Sequence, residues 1–137
     1  PGACEPISTG PIGTGTFVWP TTERYISGYN YSPETNHYGI DIGGQEGNAI
    51  YATDSGVVVY AGWNNWGYGY VVVIDHGNGW QSLYAHLSSY NVACGSYVYQ
   101  GDVIAGLGTT GNSSGPHLHF ELRSDTYGRP NPLDYLN

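Results

Sequence analysis

The chain has 137 residues, 11 acidic side chains against 3 arginines, no lysine and a net charge of −8. This balance argues against nucleic acid and against attachment to anionic surfaces through a basic patch. No apolar run approaches the roughly 18 residues of a membrane span, and the length suits one domain with its own core.

Residues 1–16 are rich in Pro, Gly, Ser and Thr and read as a linker or N-terminal arm, with the folded domain expected over 17–137. The chain starts at Pro1 without a leader, as expected of a mature or excised product of a secreted protein. Cys4 and Cys94 form an even pair and are expected to be joined by a disulfide. From Gly39 to Gly44, Ile40 and Ile42 alternate with Gly39 and Asp41 in a strand-like pattern. Further strands are predicted at Val57–Ala61, Tyr70–His76, Trp80–His86, Tyr97–Tyr99, Val103–Ala105 and His117–Leu122. Gly62–Gly69 is predicted as a turn-rich loop, and Gly77-Asn78-Gly79 as the turn of a hairpin. No segment sustains a 3.6-residue period. The expected fold is mainly β, an antiparallel sheet or sandwich with a substrate groove lined by loops and little helix. The stretches Ala49–Ala52 and Val98–Ala105 also suit a small barrel carrying lipoate or biotin. That module needs an exposed lysine at a hairpin tip, which this chain lacks.

The chemistry concentrates in histidines. In His117-Leu118-His119-Phe120-Glu121 the two imidazoles share one strand face while Leu118, Phe120 and Leu122 take the other. His37, Gly39 and Asp41 likewise share a face, and Gly39 leaves room between its two neighbours. Either pattern alone is also an ordinary solvated loop or strand edge. Two imidazoles and one carboxylate on one ion would suit Zn²⁺ and leave its fourth tetrahedral position open, as in catalytic rather than structural sites.

Five segments, taken together, resemble one family. They are Phe17-Val18-Trp19-Pro20, His37-x-x-x-Asp41, Ala52-Thr53-Asp54-Ser55-Gly56-Val57-Val58, Tyr84-Ala85-His86-Leu87, and Gly108-Thr109-Thr110-Gly111 followed by His117-Leu118-His119-Phe120-Glu121. In order and spacing the set resembles the M23 zinc metallopeptidases, cell-wall endopeptidases of the lysostaphin and LytM type. The resemblance implies one Zn²⁺ per chain held by His37, Asp41 and His119, with His86 and His117 as unligated catalytic histidines beside it. It implies a secreted or extracytoplasmic, monomeric endopeptidase that cuts the peptide portion of peptidoglycan, at glycine–glycine bonds or bonds to D-residues. Some relatives have lost ligands and act instead as peptidoglycan-binding domains or activators of other hydrolases; all five positions are present here.

Tyr38 follows His37, so the glutamate base of His-Glu-x-x-His peptidases is missing and proton transfer falls to His86 and His117. Glu121 is expected to support a histidine rather than act as the base. His76 and Asp54 sit in turn contexts and are expected to be structural. Trp63, Trp66 and Tyr68 are candidates for a substrate-binding wall.

Overall fold

A computed structural model of the chain describes residues 10–27, 30–111 and 113–137. Eight strands build one antiparallel sheet: β1 (Ile40–Gly43), β2 (Ala49–Tyr51), β3 (Gly56–Asn64), β4 (Gly69–Asp75), β5 (Trp80–Tyr90), β6 (Tyr97–Val98), β7 (Val103–Leu107) and β8 (His117–Ser124). The strand order is β1-β8-β5-β4-β3-β6, and β2 joins through β7, which pairs with β5. Among the described residues, helix is confined to short 3-10 turns at Pro33–Thr35 and Pro132–Asp134.

Alternation in the sequence becomes alternation of burial. Leu118, Phe120 and Leu122 of β8 are fully buried beside Ile40, Ile42, Val72, Ile74 and Tyr84 in the main core. Each such side chain contributes about 1.5–3 kcal/mol relative to an exposed one. Val71, Val73, Leu83 and Ala85 project from the same strands to the opposite face and form a second, smaller cluster with Val59, Tyr60 and Tyr68. The alternate residues of β8 are buried too: His119 is 6% exposed and Glu121 2%. On β8 the face opposite the main core is therefore polar yet covered, and it continues into the apolar cluster of β4 and β5.

Several strands run longer than the sequence pattern indicates, β3 and β5 most of all. β3 continues to Asn64 and β4 begins at Gly69, so the stretch Gly62–Gly69 is half strand, with a tight turn over 65–68. The reason is a cross-strand pair: Trp63 sits opposite Tyr70, their rings edge to face with centroids 5.1 Å apart. β5 runs on to Tyr90 because it changes partner on the way. Residues Trp80–Ala85 pair with β8, and Leu87–Tyr90 pair with β7. His86 stands at the changeover with a left-handed backbone, φ 62°. Its N–H donates to the Tyr68 carbonyl at 2.8 Å, outside the regular ladder. Such a bulge re-aims a side chain at some cost in backbone strain, which a non-glycine residue tolerates only when its surroundings fix it.

The described part of the N-terminal arm is tied to the sheet. The Thr14 and Gly15 amides donate to the fully buried Asp54 carboxylate at 3.2 and 3.0 Å, and Gly13 N–H donates to the His76 carbonyl at 2.7 Å. Beneath them lies a closed polar chain. His76 Nδ1–H donates to the Ser55 carbonyl (2.7 Å), Ser82 Oγ–H donates to His76 Nε2 (2.9 Å), Tyr84 O–H donates to Ser82 Oγ (2.7 Å), and Thr53 N–H donates to Tyr84 Oη (2.9 Å). These directions follow from one end, because a carbonyl only accepts. Burial holds the His76 imidazole below its usual pKa, against the opposing pull of the Ser55 carbonyl, Asp54 and Asp75.

Candidate metal centre

β1 and β8 are neighbours, and their register sets Asp41 opposite His119. The His119 imidazole fits between two carboxylates: Nδ1 lies 2.9 Å from Asp41 Oδ1 and Nε2 lies 2.8 Å from Glu121 Oε2. His37 enters from the segment before β1, with Nε2 3.3 Å from the same Asp41 Oδ1. Its Nδ1–H donates to the Asn30 carbonyl at 2.8 Å, which leaves Nε2 turned towards Asp41. One ligand atom from each of His37, Asp41 and His119 lies within 4.8 Å of the other two. Gly39 passes over this cluster so closely that a β-carbon there would stand 2.9 Å from His119 Cε1 and 2.8 Å from Glu121 Cγ. The backbone can run between the two parts of the set only because that position has no side chain.

The electrostatics match a cation-binding pocket. Burial works to lower the His119 pKa, but hydrogen bonds and attraction from Asp41 and Glu121 outweigh it and raise it to about 9. Burial works to raise Glu121, yet His119, Tyr68 and Arg123 bring it down to about 2. Asp41 is lowered as well, against the pull of burial, by His119, His117 and His37. Without a metal, a proton on His119 plays the part of the cation between two carboxylates. The two imidazole nitrogens and one carboxylate oxygen form the borderline donor set that zinc prefers, with room for a further ligand.

Glu121 is engaged on both oxygens. Oε2 accepts from the Tyr68 hydroxyl at 2.6 Å, and Oε1 accepts from Arg123 Nε and a terminal nitrogen at 3.1 and 3.0 Å. Burial, then the Glu121 charge, pushes the Tyr68 hydroxyl up to about 12, so it remains a donor. Tyr68 also stacks on His119, with ring centroids 5.6 Å apart.

His86 and His117 flank the cluster with ring centroids 4.7 Å apart. His86 Nδ1–H donates to the Thr110 carbonyl (2.7 Å), and His117 Nδ1–H donates to the Gly115 carbonyl (2.9 Å). Each ring is thereby left with Nε2 for other work, and in His117 that atom lies 3.7 Å from Asp41 Oδ2. Burial, the largest influence, lowers the His86 pKa to about 4, so the ring is neutral near pH 7. Thr110 holds the bulge together: its hydroxyl donates to the Leu87 carbonyl (2.7 Å) and accepts from Tyr70 N–H (3.1 Å). Gly69 and Gly111, both with positive φ, let the β3–β4 turn and the β7–β8 loop meet backbone to backbone at this point. Part of Gly108-Thr109-Thr110-Gly111 is thus explained: it fixes His86.

These groups line an open groove of about 700 Å³. Trp66, Tyr68 and Ser113–Pro116 lie along it together with Asn36, Tyr38 and Arg129. Of the three aromatic candidates, Trp66 and Tyr68 line the groove and Trp63 does not; its pairing with Tyr70 holds it on the strand face. His76 is buried in the polar chain away from the groove. Cys4 lies outside the described residues, so its pairing with Cys94 falls outside them too. Sequence reasoning missed Arg129, Thr110 and Ser113. Thr110 sits inside a quoted motif, whereas nothing near Arg129 marks it, because the C-terminal segment carries it to the groove from far along the chain.

Known proteins sharpen this picture. The chain is 41% identical over 137 residues to the murein hydrolase activator NlpD of Salmonella dublin, a match spanning 99% of this chain and 35% of that protein. It is 45% identical over 98 residues to the DD-carboxypeptidase/endopeptidase Mpg of Neisseria meningitidis, covering 71% of this chain and 22% of that protein. The chain therefore spans about a third or less of these relatives. The catalytic domain of the antimicrobial peptidase lysostaphin from Staphylococcus simulans superposes with a TM-score of 0.74 at 35% identity, covering 79% of this chain and 89% of that one. The family model for peptidase family M23 matches residues 35–132, a stretch that holds every side chain of the metal cluster and both flanking histidines. On the shared sheet, the clustered His37, Asp41 and His119 and this match, the chain belongs to peptidase family M23.

Proposed function

We propose that this chain is a zinc-dependent endopeptidase that hydrolyses amide bonds in the stem or crosslink peptides of peptidoglycan, and that it acts as a secreted monomer. The observation that carries the reading is the convergence of His37, Asp41 and His119 at the floor of a groove, with two further histidines beside them. His37 Nε2, Asp41 Oδ1 and His119 Nδ1 would hold one Zn²⁺, and Glu121 on His119 Nε2 fixes that ring's orientation. A zinc ion there supplies a lowered pKa to a water, from about 15.7 towards about 7, and an electrophile for the scissile carbonyl. His86 and His117, each held at Nδ1, use Nε2 to take the proton of the attacking water and to donate to the oxyanion or the leaving amine. Trp66 and Tyr68 wall the peptide's path.

A second reading has its own support in the likeness to NlpD, a murein hydrolase activator, over 99% of the chain. In that case the domain would bind peptidoglycan without cutting it. The complete set of five side chains favours the enzyme. Mass spectrometry of purified peptidoglycan fragments after incubation with zinc-loaded protein decides: new chain ends at an internal amide support the peptidase and name the bond, and intact fragments beside stimulated turnover by a separate murein hydrolase support the activator.

Cys4 and Cys94 are proposed to form a disulfide that ties the arm to the turn before β6. The chain-entropy model credits a loop of this length with up to about 4.5 kcal/mol. Reduction is expected to lower the urea midpoint without changing zinc content, and two free thiols in air-oxidised, unfolded protein would dispose of the bridge.

A further inference from the structure

The chain has three arginines, and two of them do not line the groove. Arg123 donates twice to Glu121, and Arg24 lies over Trp19, 5.3 Å from the ring centre. Arg129 is different. It lines the groove, with its guanidinium carbon 3.9 Å from the centre of the Tyr38 ring. Among the described residues no carboxylate lies within ion-pair distance of it, although the chain carries 11 acids.

Its place is fixed from the backbone outward. The Tyr31 hydroxyl donates to the Arg129 carbonyl at 2.6 Å. Gly128, with φ 71°, turns the chain just before it, and Pro130 just after it bars the helical conformation at Arg129. Tyr38, on which the guanidinium rests, directly follows His37. A guanidinium stacked by one face keeps its N–H edge available, and that edge matches a carboxylate in a two-pronged hydrogen bond. Among the other lining residues, Trp66 and Ser113–Pro116 carry no charged side chain.

We propose that Arg129 is the carboxylate anchor of the groove: it binds a carboxylate of the substrate peptide close to the scissile amide. This inference rests on the peptidase reading above and narrows it. It selects acidic stem-type peptides, whose carboxylate is a chain end or an acidic side chain, over uncharged glycine bridges. The −8 charge of the chain repels such a peptide at a distance, but this repulsion is screened beyond about 8 Å at physiological salt, whereas the contact at Arg129 is made at hydrogen-bond range.

The test uses zinc-loaded protein and synthetic crosslinked stem-peptide dimers whose crosslink amide is N-methylated to prevent cleavage. One dimer has all carboxylates free, one is amidated at its chain ends, and one at its side chains. Isothermal titration calorimetry of wild type is expected to show about tenfold weaker binding for whichever amidated dimer loses the recognised group. Arg129→Gln should bring the acid-to-amide ratio of Kd towards one, and Arg129→Lys should leave an intermediate ratio. An absent acid preference in wild type, a preference that survives in Arg129→Gln, or no binding of any dimer overturns the proposal. Cleavage of the unmethylated dimers is scored separately. Cutting without acid preference removes only the anchor, and acid-selective binding without cutting removes only the peptidase.

Discussion

Two buried polar clusters stand on the same sheet and differ in how they are completed. At one place Asp54, His76, Ser82 and Tyr84 close on one another and on backbone groups, each donor meeting an acceptor that belongs to the protein. At the other, His37, Asp41, His119 and Glu121 gather lone pairs and negative charge around a point that calls for a cation. Among the described residues no buried side-chain nitrogen or oxygen lacks a partner, so the second cluster is also satisfied, but between Asp41 and Glu121 it is satisfied by a proton on His119. Satisfaction by fixed groups builds a fastening for the arm. Satisfaction by an exchangeable cation builds a site.

The sharpest way to break the contrast is to remove a ligand. His37→Ala, Asp41→Ala and His119→Ala are each expected to lose zinc and turnover together, as read by metal analysis and peptide cleavage, because two remaining protein ligands make a poor site. Full zinc occupancy at unchanged affinity in His119→Ala would sink the assignment. His86→Ala and His117→Ala should keep zinc and lose roughly 10²–10⁴-fold in turnover. Loss of metal from His117→Ala with retention in His119→Ala would exchange the two roles. In the fastening the expected effect is on stability alone. Asp54→Ala strands three amides, those of Thr14, Gly15 and Ser55, and should cost about 2–3 kcal/mol in urea denaturation while turnover per folded molecule holds.

The smallest effect is also the most discriminating, because His76 and His119 respond to pH with opposite sign. The folded-state pKa of His76 lies below 6.5, so the unfolded chain takes up the proton first; its stabilising contribution is present above pH 6.5 and is lost as pH falls. In metal-free protein His119 is raised to about 9, so its contribution is complete below pH 6.5 and is lost as pH rises through about 9. Urea midpoints in chelator from pH 5 to pH 10 should show both limbs. His76→Gln should reduce the acid limb, which the lowered His86 shares, and leave the alkaline one, whereas His119→Gln should flatten the alkaline limb. Saturating zinc should remove the alkaline limb, since a metal replaces the proton.

The legible parts of this molecule were those written at short range. Alternation in His117–Leu122 fixes β8 and the common face of His117 and His119, and Gly39 between His37 and Asp41 marks a close passage. The strand limits were less legible, because β3 and β5 are extended by partners distant in sequence: Tyr70 across from Trp63, and β7 beyond His86. Burial of His119 and Glu121 could not be read from alternation alone, which tells two faces apart without saying that both are covered. Arg129 was the least legible of all. Its meaning depends on the Tyr38 ring and on the Tyr31 hydroxyl, both more than ninety residues earlier in the chain.

The partner change of β5 has a consequence for motion. β5 is hydrogen-bonded to β4, β7 and β8, so its amides should exchange with solvent only when the whole sheet opens. His86 therefore rides on one of the last segments to come apart, not on a mobile loop. The strain at its φ of 62° is held by three strands at once. On the proposed reading, adaptation to different peptides then falls to Trp66 and Ser113–Pro116, the parts of the β3–β4 turn and the β7–β8 loop that line the groove without holding His86.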